Sequence, residues 1–165
     1  MSEKMPPASP SLVSLLICDQ VIDDRMTNKK SAIGLFNSVL VASVPTRLHQ
    51  LAVMATLTEI TGRTPLRLRL MRDENNAVLM ETRGHVEAPN PLAIVDLVFA
   101  MQGVPIAHTG QYAFELLTDV ELLGRRRFHV VIGRPPQLQR PAQPGGPGAL
   151  PPDIGPDNLP DSSEN

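Results

Sequence analysis

Strict alternation of apolar and charged residues in one short segment is the feature that most restricts how this chain can fold. Residues 66–72 read LRLRLMR, so the leucines point to one side of an extended backbone and the arginines between them to the other. The flanking segments, TGRTP at 61–65 and DENN at 73–76, are rich in residues that favour turns. The pattern predicts a β-strand with one buried face and one wet face.

Several further segments show a similar extended pattern, and none shows a sustained helical period. The residues that connect them are polar, glycine or proline, which favour short turns. A sheet with one apolar face must bury that face against another layer. We therefore expect an all-β fold, an antiparallel two-sheet sandwich of immunoglobulin-like or C2-like type. Its roughly eight strands are predicted at 12–22, 31–41, 51–60, 66–72, 77–86, 92–101, 111–118 and 121–132.

Composition divides the chain into a folded domain and two flanking segments. Nine of the seventeen prolines lie after residue 132, where branched and aromatic residues are sparse. Such a segment buries too little apolar surface to offset its chain entropy. We therefore predict a β-sandwich domain at 11–132, a disordered N-terminus at 1–10 and a disordered Pro/Gly-rich tail at 133–165.

The run RRR at 125–127 lies inside an otherwise apolar hairpin. With a two-residue turn at 119–120, strict alternation would bury the first and third arginines and expose Phe128. Burying unpaired arginines is costly. We therefore predict a β-bulge at Gly124–Arg125, with positive φ at the glycine, which returns Phe128 to the core and turns Arg127 outward.

The same bulge predicts the surroundings of the arginines. Charged side chains on a strand face pair with opposite charges across the hairpin, here Glu115 or Glu121. The alternative, a site for single-stranded nucleic acid, needs exposed aromatic rings. The chain has only one tyrosine, four phenylalanines and no tryptophan, and its net charge is −2. We expect neither a nucleic acid nor a membrane partner.

A longer set of segments carries a family resemblance. ICDQVI, KKSAIGLFNSV, LTEITGRTPLRLRL and GQYAFELLTDVELLGRRRFHV, with Pro45 between the second and third, are similar to an uncharacterised bacterial domain-of-unknown-function family of small β-sandwich proteins. The resemblance covers residues 12–131. It implies a β-sandwich and brings no activity or catalytic residue with it. The positions that carry it are structural: Gly34, Gly110, Tyr112, Glu115, Asp119, Leu123 and Gly124.

Residues that commonly carry chemistry form no recognised pattern in this chain. The histidines lie far apart and lack the spacing of zinc ligands. They are His49, His85, His108 and His129. No serine lies in a nucleophile elbow, and no phosphate-binding glycine loop is present. We therefore predict no catalytic, cofactor-binding or metal-binding residues and no cofactor.

A group of oxygen donors surrounds the first predicted turn. It comprises Asp19, Asp23, Asp24 and Asn28. Calcium favours such ligands, but the spacing matches no known calcium loop, and acidic turns at strand ends are ordinary. Whether Asp19, Asp23 and Asp24 bind a cation stays open at this point.

The N-terminal segment and the single cysteine suggest a compartment. Residues 1–20 lack the basic region and the small-residue cleavage site of a signal peptide. Cys18 lies in the apolar run LLICD, which is typical of a core or sheet residue, and one cysteine cannot form an internal disulfide. We expect a cytoplasmic protein.

The segment LAIVDLVFAM at 92–101 suggests a role. Its odd-numbered residues form one apolar face, and the opposite face is also apolar, with Leu92, Ile94, Val98 and Ala100 broken only by Asp96. Either a neighbouring segment of the chain or another subunit or protein covers this second face, and we favour the subunit or protein. Residues 11–19, which are apolar on both sides, are the candidate to lie beside it.

Two functions follow from these patterns. The leading hypothesis is a non-catalytic protein-interaction or self-assembly module, with a protein partner or a homo-oligomer. The alternative is a small-molecule or metal-dependent enzyme whose site is built from the loops at 41–50 and 89–91, with its ligand unknown. A sandwich supports either function.

Overall fold

The structure, a computed structural model, describes residues 9–134 and contains β-strands and no helix in that range. Those residues accordingly hold no helix long and apolar enough to cross a membrane. The strands are β1 (Ser11–Asp24), β2 (Lys29–Leu35), β3 (Ser38–Val41), β4 (Thr46–Thr58), β5 (Thr64–Arg72), β6 (Ala77–Val86), β7 (Val95–Ile106), β8 (Gly110–Leu117) and β9 (Leu122–Ile132). The predicted disorder of residues 1–8 and 135–165 falls outside the described residues.

The strands form two sheets. A four-stranded sheet has the order β2-β1-β4-β7, and a five-stranded sheet has the order β3-β9-β8-β5-β6. Neighbouring strands are antiparallel except β3 and β9, which are parallel. The predicted all-β, antiparallel two-sheet sandwich is confirmed, with nine strands in residues 9–134 where about eight were expected.

The apolar inner faces of the two sheets pack together as the core, and Phe128 lies at its aromatic centre. Its ring stacks on Tyr112 with 5.7 Å between ring centroids and on Phe114 with 5.8 Å. Phe36 meets it edge-on at 6.0 Å. Phe128 is fully buried, so truncation to alanine is expected to cost about 3–5 kcal/mol of folding free energy.

Tyr112 also ties the turn before β8 to this core. Its hydroxyl donates to the backbone oxygen of His108 at 2.8 Å and accepts from the backbone N–H of the same residue at 3.3 Å. A tyrosine that bonds the backbone a few residues upstream is a recurrent feature of immunoglobulin-like sandwiches. The resemblance position Tyr112 therefore has a structural role.

The predicted second strand at 31–41 is wrong in one respect, because two strands occupy it. β2 pairs with β1 in the four-stranded sheet, whereas β3 pairs with β9 in the other sheet. Gly34, at φ 69°, lies near the end of β2 and close to the side chain of Asp19. Phe36 and Asn37 then carry the chain between the sheets. Residues 31–41 are similarly apolar on both sides of this point, so the sequence pattern does not show where the chain changes sheet.

The strand limits of two other segments also differ from the prediction. β4 begins at Thr46 rather than 51, so that half of the expected loop at 41–50 belongs to a strand. β7 runs over Val95–Ile106 rather than 92–101. Its exposed and half-buried residues do alternate as predicted. β4 lies between β1 and β7, so the expectation that residues 11–19 lie directly beside residues 92–101 is wrong.

The predicted bulge in the last hairpin exists, but its position is wrong. Leu117 pairs with Leu122 and Leu116 pairs with Gly124, so the extra residue is Leu123. Gly124 does not have positive φ. A Cβ on Gly124 would instead lie 2.3 Å from a methyl carbon of Leu12. The glycine is thus needed for close packing between the sheets.

Because the bulge lies at Leu123, before the three arginines, it determines on which side of β9 each arginine lies. Phe128 is fully buried and the Arg127 side chain is 54% exposed, as predicted. Arg126 pairs with Phe114 in the ladder and so lies on the inner side of β9. It is half-buried and reaches the side-chain oxygen of Asn37, to which it donates at 2.7 Å.

Candidate functional site

The outer faces of the two sheets differ sharply in chemistry. On the five-stranded sheet, Arg125 Nε donates to a carboxylate oxygen of Glu115 at 2.7 Å, and Arg125 also pairs with Asp73 at 3.2 Å. Arg127 Nε lies 3.1 Å from the other oxygen of Asp73. The predicted pairing across the hairpin with Glu115 is confirmed, and Asp73, from the β5–β6 turn, is a partner that the sequence did not indicate.

The same face continues with a second group of ion pairs. Glu81 accepts from Arg69 Nε at 2.6 Å and from Arg83 Nε at 2.8 Å. Arg69 and, after it, Arg83 hold the pKa of Glu81 below its ordinary value of 4.5. Each of these arginines has a carboxylate partner, so this face is a ladder of ion pairs that extends from the buried Glu115 to the exposed Arg83. It offers little unpaired positive charge for a phosphate.

The outer face of the four-stranded sheet is apolar. Register places Leu16, Met54 and Val98 side by side across β1, β4 and β7. The next row, running from β2 to β7, consists of Leu35, Cys18, Ala52 and Ala100. These seven residues form two adjacent rows across the sheet, and we refer to them as the apolar band.

Polar rows border the apolar band on both sides. On one side, Ser14, Thr56 and Asp96 face each other across the strands, and the Thr56 hydroxyl donates to Asp96 at 2.7 Å. On the other side, Gln50 pairs with Gln102. The charge of Asp96 is the one charge in β7. Because its carboxylate accepts the Thr56 hydrogen bond in the polar row, it does not interrupt the apolar band. An apolar centre with a polar rim is the usual layout of protein–protein interfaces.

The apolar band is accessible at its margins. Leu35 is 60% exposed and Val98 is 39% exposed. Ile33 and Ile22 extend the accessible apolar surface on the β1–β2 side. With strands about 4.8 Å apart and same-face residues about 6.6 Å apart, the seven residues of the apolar band span roughly 220 Å² of the sheet, and roughly 380 Å² with the five residues of the polar rows.

Cys18 lies within the apolar band but is fully buried by its neighbours. Its thiol lies 3.7 Å from the backbone oxygen of Ala52 and 3.4 Å from that of Gln20, within reach of weak hydrogen bonds. Burial raises the pKa of this thiol above its ordinary value of 9.0. A thiol held neutral and covered in this way is a packing group rather than an activated nucleophile.

Two of the acidic residues around the first turn, Asp23 and Asp24, have separate local partners, and Asp19 lies close to Gly34. Asp23 pairs with Lys30 at 3.2 Å. Asp24 accepts from the Thr27 hydroxyl at 2.6 Å and from the Met26 N–H at 2.9 Å, and these bonds, Thr27 first, lower the pKa of Asp24. Throughout residues 9–134, no three His, Cys, Asp or Glu side chains come together as metal ligands.

The two loops of the enzyme hypothesis lie at opposite ends of β7. Thr46, which follows the first loop, pairs with Ile106 at the end of β7. The loop at 89–91 precedes Val95, at the start of the strand, whose partner is Leu57. At about 3.3 Å per residue the two ends of β7 are roughly 36 Å apart. The structure therefore does not bring these loops into one site.

The histidines are distributed over separate elements. His49 lies in β4, and His129 on the outward side of β9. His85 Nδ1 lies 3.3 Å from an Arg63 nitrogen, and His108 lies in the turn that Tyr112 holds. None of these contacts joins two histidines.

One pocket of about 190 Å³ opens beside the β8–β9 turn. It is lined by Ser9, Thr61, Arg63, Thr64, Pro65, Thr118, Asp119 and Val120. Among these residues Asp119 lies 3.8 Å from Arg67, and Thr118 caps the turn by accepting from the Val120 N–H at 3.2 Å. Among these lining residues Asp119 is the one carboxylate, and there is no histidine or cysteine, so the lining suggests no reaction.

Comparison with known proteins gives one family. The model of a family of unknown function, DUF6941, matches residues 13–131. A comparison with curated proteins gives no match.

Among solved structures, the chain is similar to an immunoglobulin-like protein from Pseudomonas aeruginosa, with 15% identity and a TM-score of 0.41 over 76% of this chain and 98% of that one. It is also similar to part of a beta-glucosidase from Listeria innocua, solved in complex with isofagomine. That match has 10% identity and a TM-score of 0.40, and covers 75% of this chain but 16% of the glucosidase. Scores of this size carry no inference about activity.

Proposed function

This chain belongs to DUF6941, a family of unknown function, and we propose from its own geometry that it is a non-catalytic protein-binding module. In this proposal the outer face of the four-stranded sheet is the binding surface. The observation that carries it is the apolar band, bordered on both sides by polar rows. An antiparallel sheet that faces water normally alternates apolar and polar residues, whereas here both sides of β7 are apolar.

The contrast between the two sheets supports this choice of surface. The outer face of the five-stranded sheet places Arg69 and Arg125 in ion pairs with Glu81 and Glu115. Such a face is stable in water without a partner. The four-stranded sheet has no comparable ladder on its outer face among residues 9–134, and Leu35 and Val98 remain exposed there. Covering these side chains with another protein would remove them from water.

The enzyme alternative has less support. The loops at 41–50 and 89–91 lie at opposite ends of β7, and Cys18 is buried with a raised pKa. Elemental analysis of the purified protein is the direct check. Stoichiometric zinc or calcium would favour the enzyme over the binding module.

The binding surface can be tested by affinity capture from a cytosolic extract of the native cell, followed by mass spectrometry. The bait proteins are the wild type, Leu35→Lys in the apolar band, and Val120→Lys as a control. Leu35 is 60% exposed and Val120, at the β8–β9 turn, is 75% exposed, so both substitutions place a lysine on an accessible position. Circular dichroism of each bait verifies that the fold is retained.

The expected result is at least one protein retained by the wild type and by Val120→Lys but lost with Leu35→Lys. Titration of that purified protein against the three baits should then show similar affinity for the wild type and Val120→Lys and weaker affinity for Leu35→Lys. An identical set of captured proteins for all three baits would show that this face binds no protein.

A further inference from the structure

We infer that a second copy of the chain binds beside this surface, at the sheet edge, and pairs its β7 with β7 in antiparallel orientation about a twofold axis at Phe99. The inference rests on the proposed function and adds a partner and a geometry. Such pairing would join two four-stranded sheets into one sheet of eight strands. It would also make the two apolar bands continuous.

The free edge of β7 is the first observation. A sheet edge exposes unpaired N–H and C=O groups, and proteins blunt such edges with lysine, proline, bulges or very short strands. Among residues 9–134, β7 pairs with β4 alone, and within Leu97–Gln102 it holds no charge, no proline and no glycine. The stretch between Asp96 and Gly103 therefore has none of these protections.

The other three sheet edges are protected. β2 begins with Lys29 and Lys30 and contains Gly34 at positive φ. β3 is only four residues long. β6 carries charged residues such as Arg83 and has an extra residue, Leu79, where its pairing with β5 shifts register. Of the four edges, β7 is the one open to another strand.

The sequence of β7 is the second observation, because it is self-complementary about Phe99. A twofold axis at Phe99 places Asp96 opposite Gln102 of the partner subunit. Likewise, it places Leu97 opposite Met101 of the partner subunit, and Val98 opposite Ala100 of the partner subunit. Polar residues thus meet polar residues and apolar residues meet apolar residues on each face, and the two Asp96 carboxylates are kept apart. A twofold interface requires this reciprocity, in which residue i meets j and j meets i.

Incomplete burial of both sides of β7 is the third observation. Phe99 and Met101 pack against the core but are only partly buried, and Val98 is 39% exposed on the outer side. A second β7 would cover both rows at once. The paired stretch ends where Gly103, at φ 62°, and Pro105 interrupt the strand. The pairing is therefore confined to the self-complementary segment.

The test uses light scattering on the full chain and on two charged variants, Val98→Lys and Ala100→Glu. Both positions lie on the outer face of β7 and are exposed, so the substitutions do not enter the core. In the proposed register each variant alone would bring two like charges to within about 8 Å across the axis. Mixed together, the two variants would place the positive charge of Val98→Lys in one chain opposite the negative charge of Ala100→Glu in the other. Val131→Lys is a matched control, since Val131 is also 39% exposed but lies in the other sheet.

We expect the wild type and Val131→Lys to reach twice the chain mass of 17.9 kDa at tens of micromolar. Each β7 variant alone should remain at the mass of one chain, and an equimolar mixture of the two should return to the dimer mass. A wild type that stays monomeric at ~100 μM, a concentration at which a dimer with Kd of about 10 μM would be mostly formed, overturns the inference. So does a mixture that stays monomeric while the wild type dimerises, because the register would then be wrong.

These outcomes are separable from those of the binding proposal. A monomeric wild type that still captures another protein through Leu35 would refute the second copy and leave the binding surface in place. A dimer that dissociates on Val98→Lys but is untouched by Leu35→Lys, with no captured protein, would support the pairing and refute the wider binding role of the face.

Discussion

Gly124 gives the sharpest test of how the two sheets fit together. A Cβ at this position would lie 2.3 Å from Leu12 Cδ2, far inside van der Waals contact. The obstacle is the end of a flexible side chain, so Leu12 can move at the cost of its packing. For Gly124→Ala we expect a loss of about 1–3 kcal/mol of unfolding free energy, the usual range for overpacking. With an m-value of about 2 kcal/mol/M, the urea midpoint would fall by about 0.5–1.5 M.

The cause of that loss can be isolated with a second substitution. Leu12 is only partly buried against the core, so Leu12→Ala alone should cost about 2 kcal/mol, the lower end for such truncations. In the Leu12→Ala background the clash is gone. Because Gly124 does not have positive φ, Gly124→Ala should then be neutral within about 0.5 kcal/mol or stabilising by about 0.4–1 kcal/mol.

Equilibrium unfolding in urea of the wild type, both single variants and the double variant measures this coupling. We expect an interaction energy of about 1–3 kcal/mol between positions 12 and 124. An equal cost of Gly124→Ala in both backgrounds would refute the steric explanation. The cost would then have a cause other than the contact with Leu12, and not the positive φ that the sequence suggested, since Gly124 does not have it.

Three further predictions concern buried or paired polar groups. Tyr112→Phe removes both hydrogen bonds to the His108 backbone and should lower the unfolding free energy by about 1 kcal/mol without changing the far-ultraviolet spectrum; an unchanged urea midpoint would mean that the hydroxyl contributes nothing. Arg69 foremost lowers the folded-state pKa of Glu81. The ionised carboxylate therefore stabilises the fold fully at pH values above its ordinary pKa of 4.5, and this stabilisation is lost as pH falls through the lower pKa of the folded state. Thus the unfolding free energy of the wild type should drop more steeply below pH 4.5 than that of Glu81→Gln, and parallel curves would contradict the pairing. Burial raises the pKa of Cys18 above 9.0, so a thiol reagent should label it only in denaturant; rapid labelling of the native protein would show that the apolar band opens.

Much of the local structure could be read from the sequence. The alternation at 66–72 predicted β5 and its outward arginines because side-chain direction in a strand is a local property with a period of two residues. The same rule predicted that Val98 and Ala100 face away from the core, and that Phe128 points into it. Even the existence of a bulge in the last hairpin followed from the cost of burying arginine.

Only the tertiary structure decided which strands are neighbours. That residues 31–41 divide between two sheets, that the bulge is at Leu123, and that Asp73 binds Arg125 depend on contacts between segments far apart in the chain. The apolar band is the clearest case. Its rows exist because β4 lies between β1 and β7 in one particular register, and a shift of one residue would exchange the inner and outer faces of a strand. Register is set by the packing of the whole sandwich, which no single segment encodes.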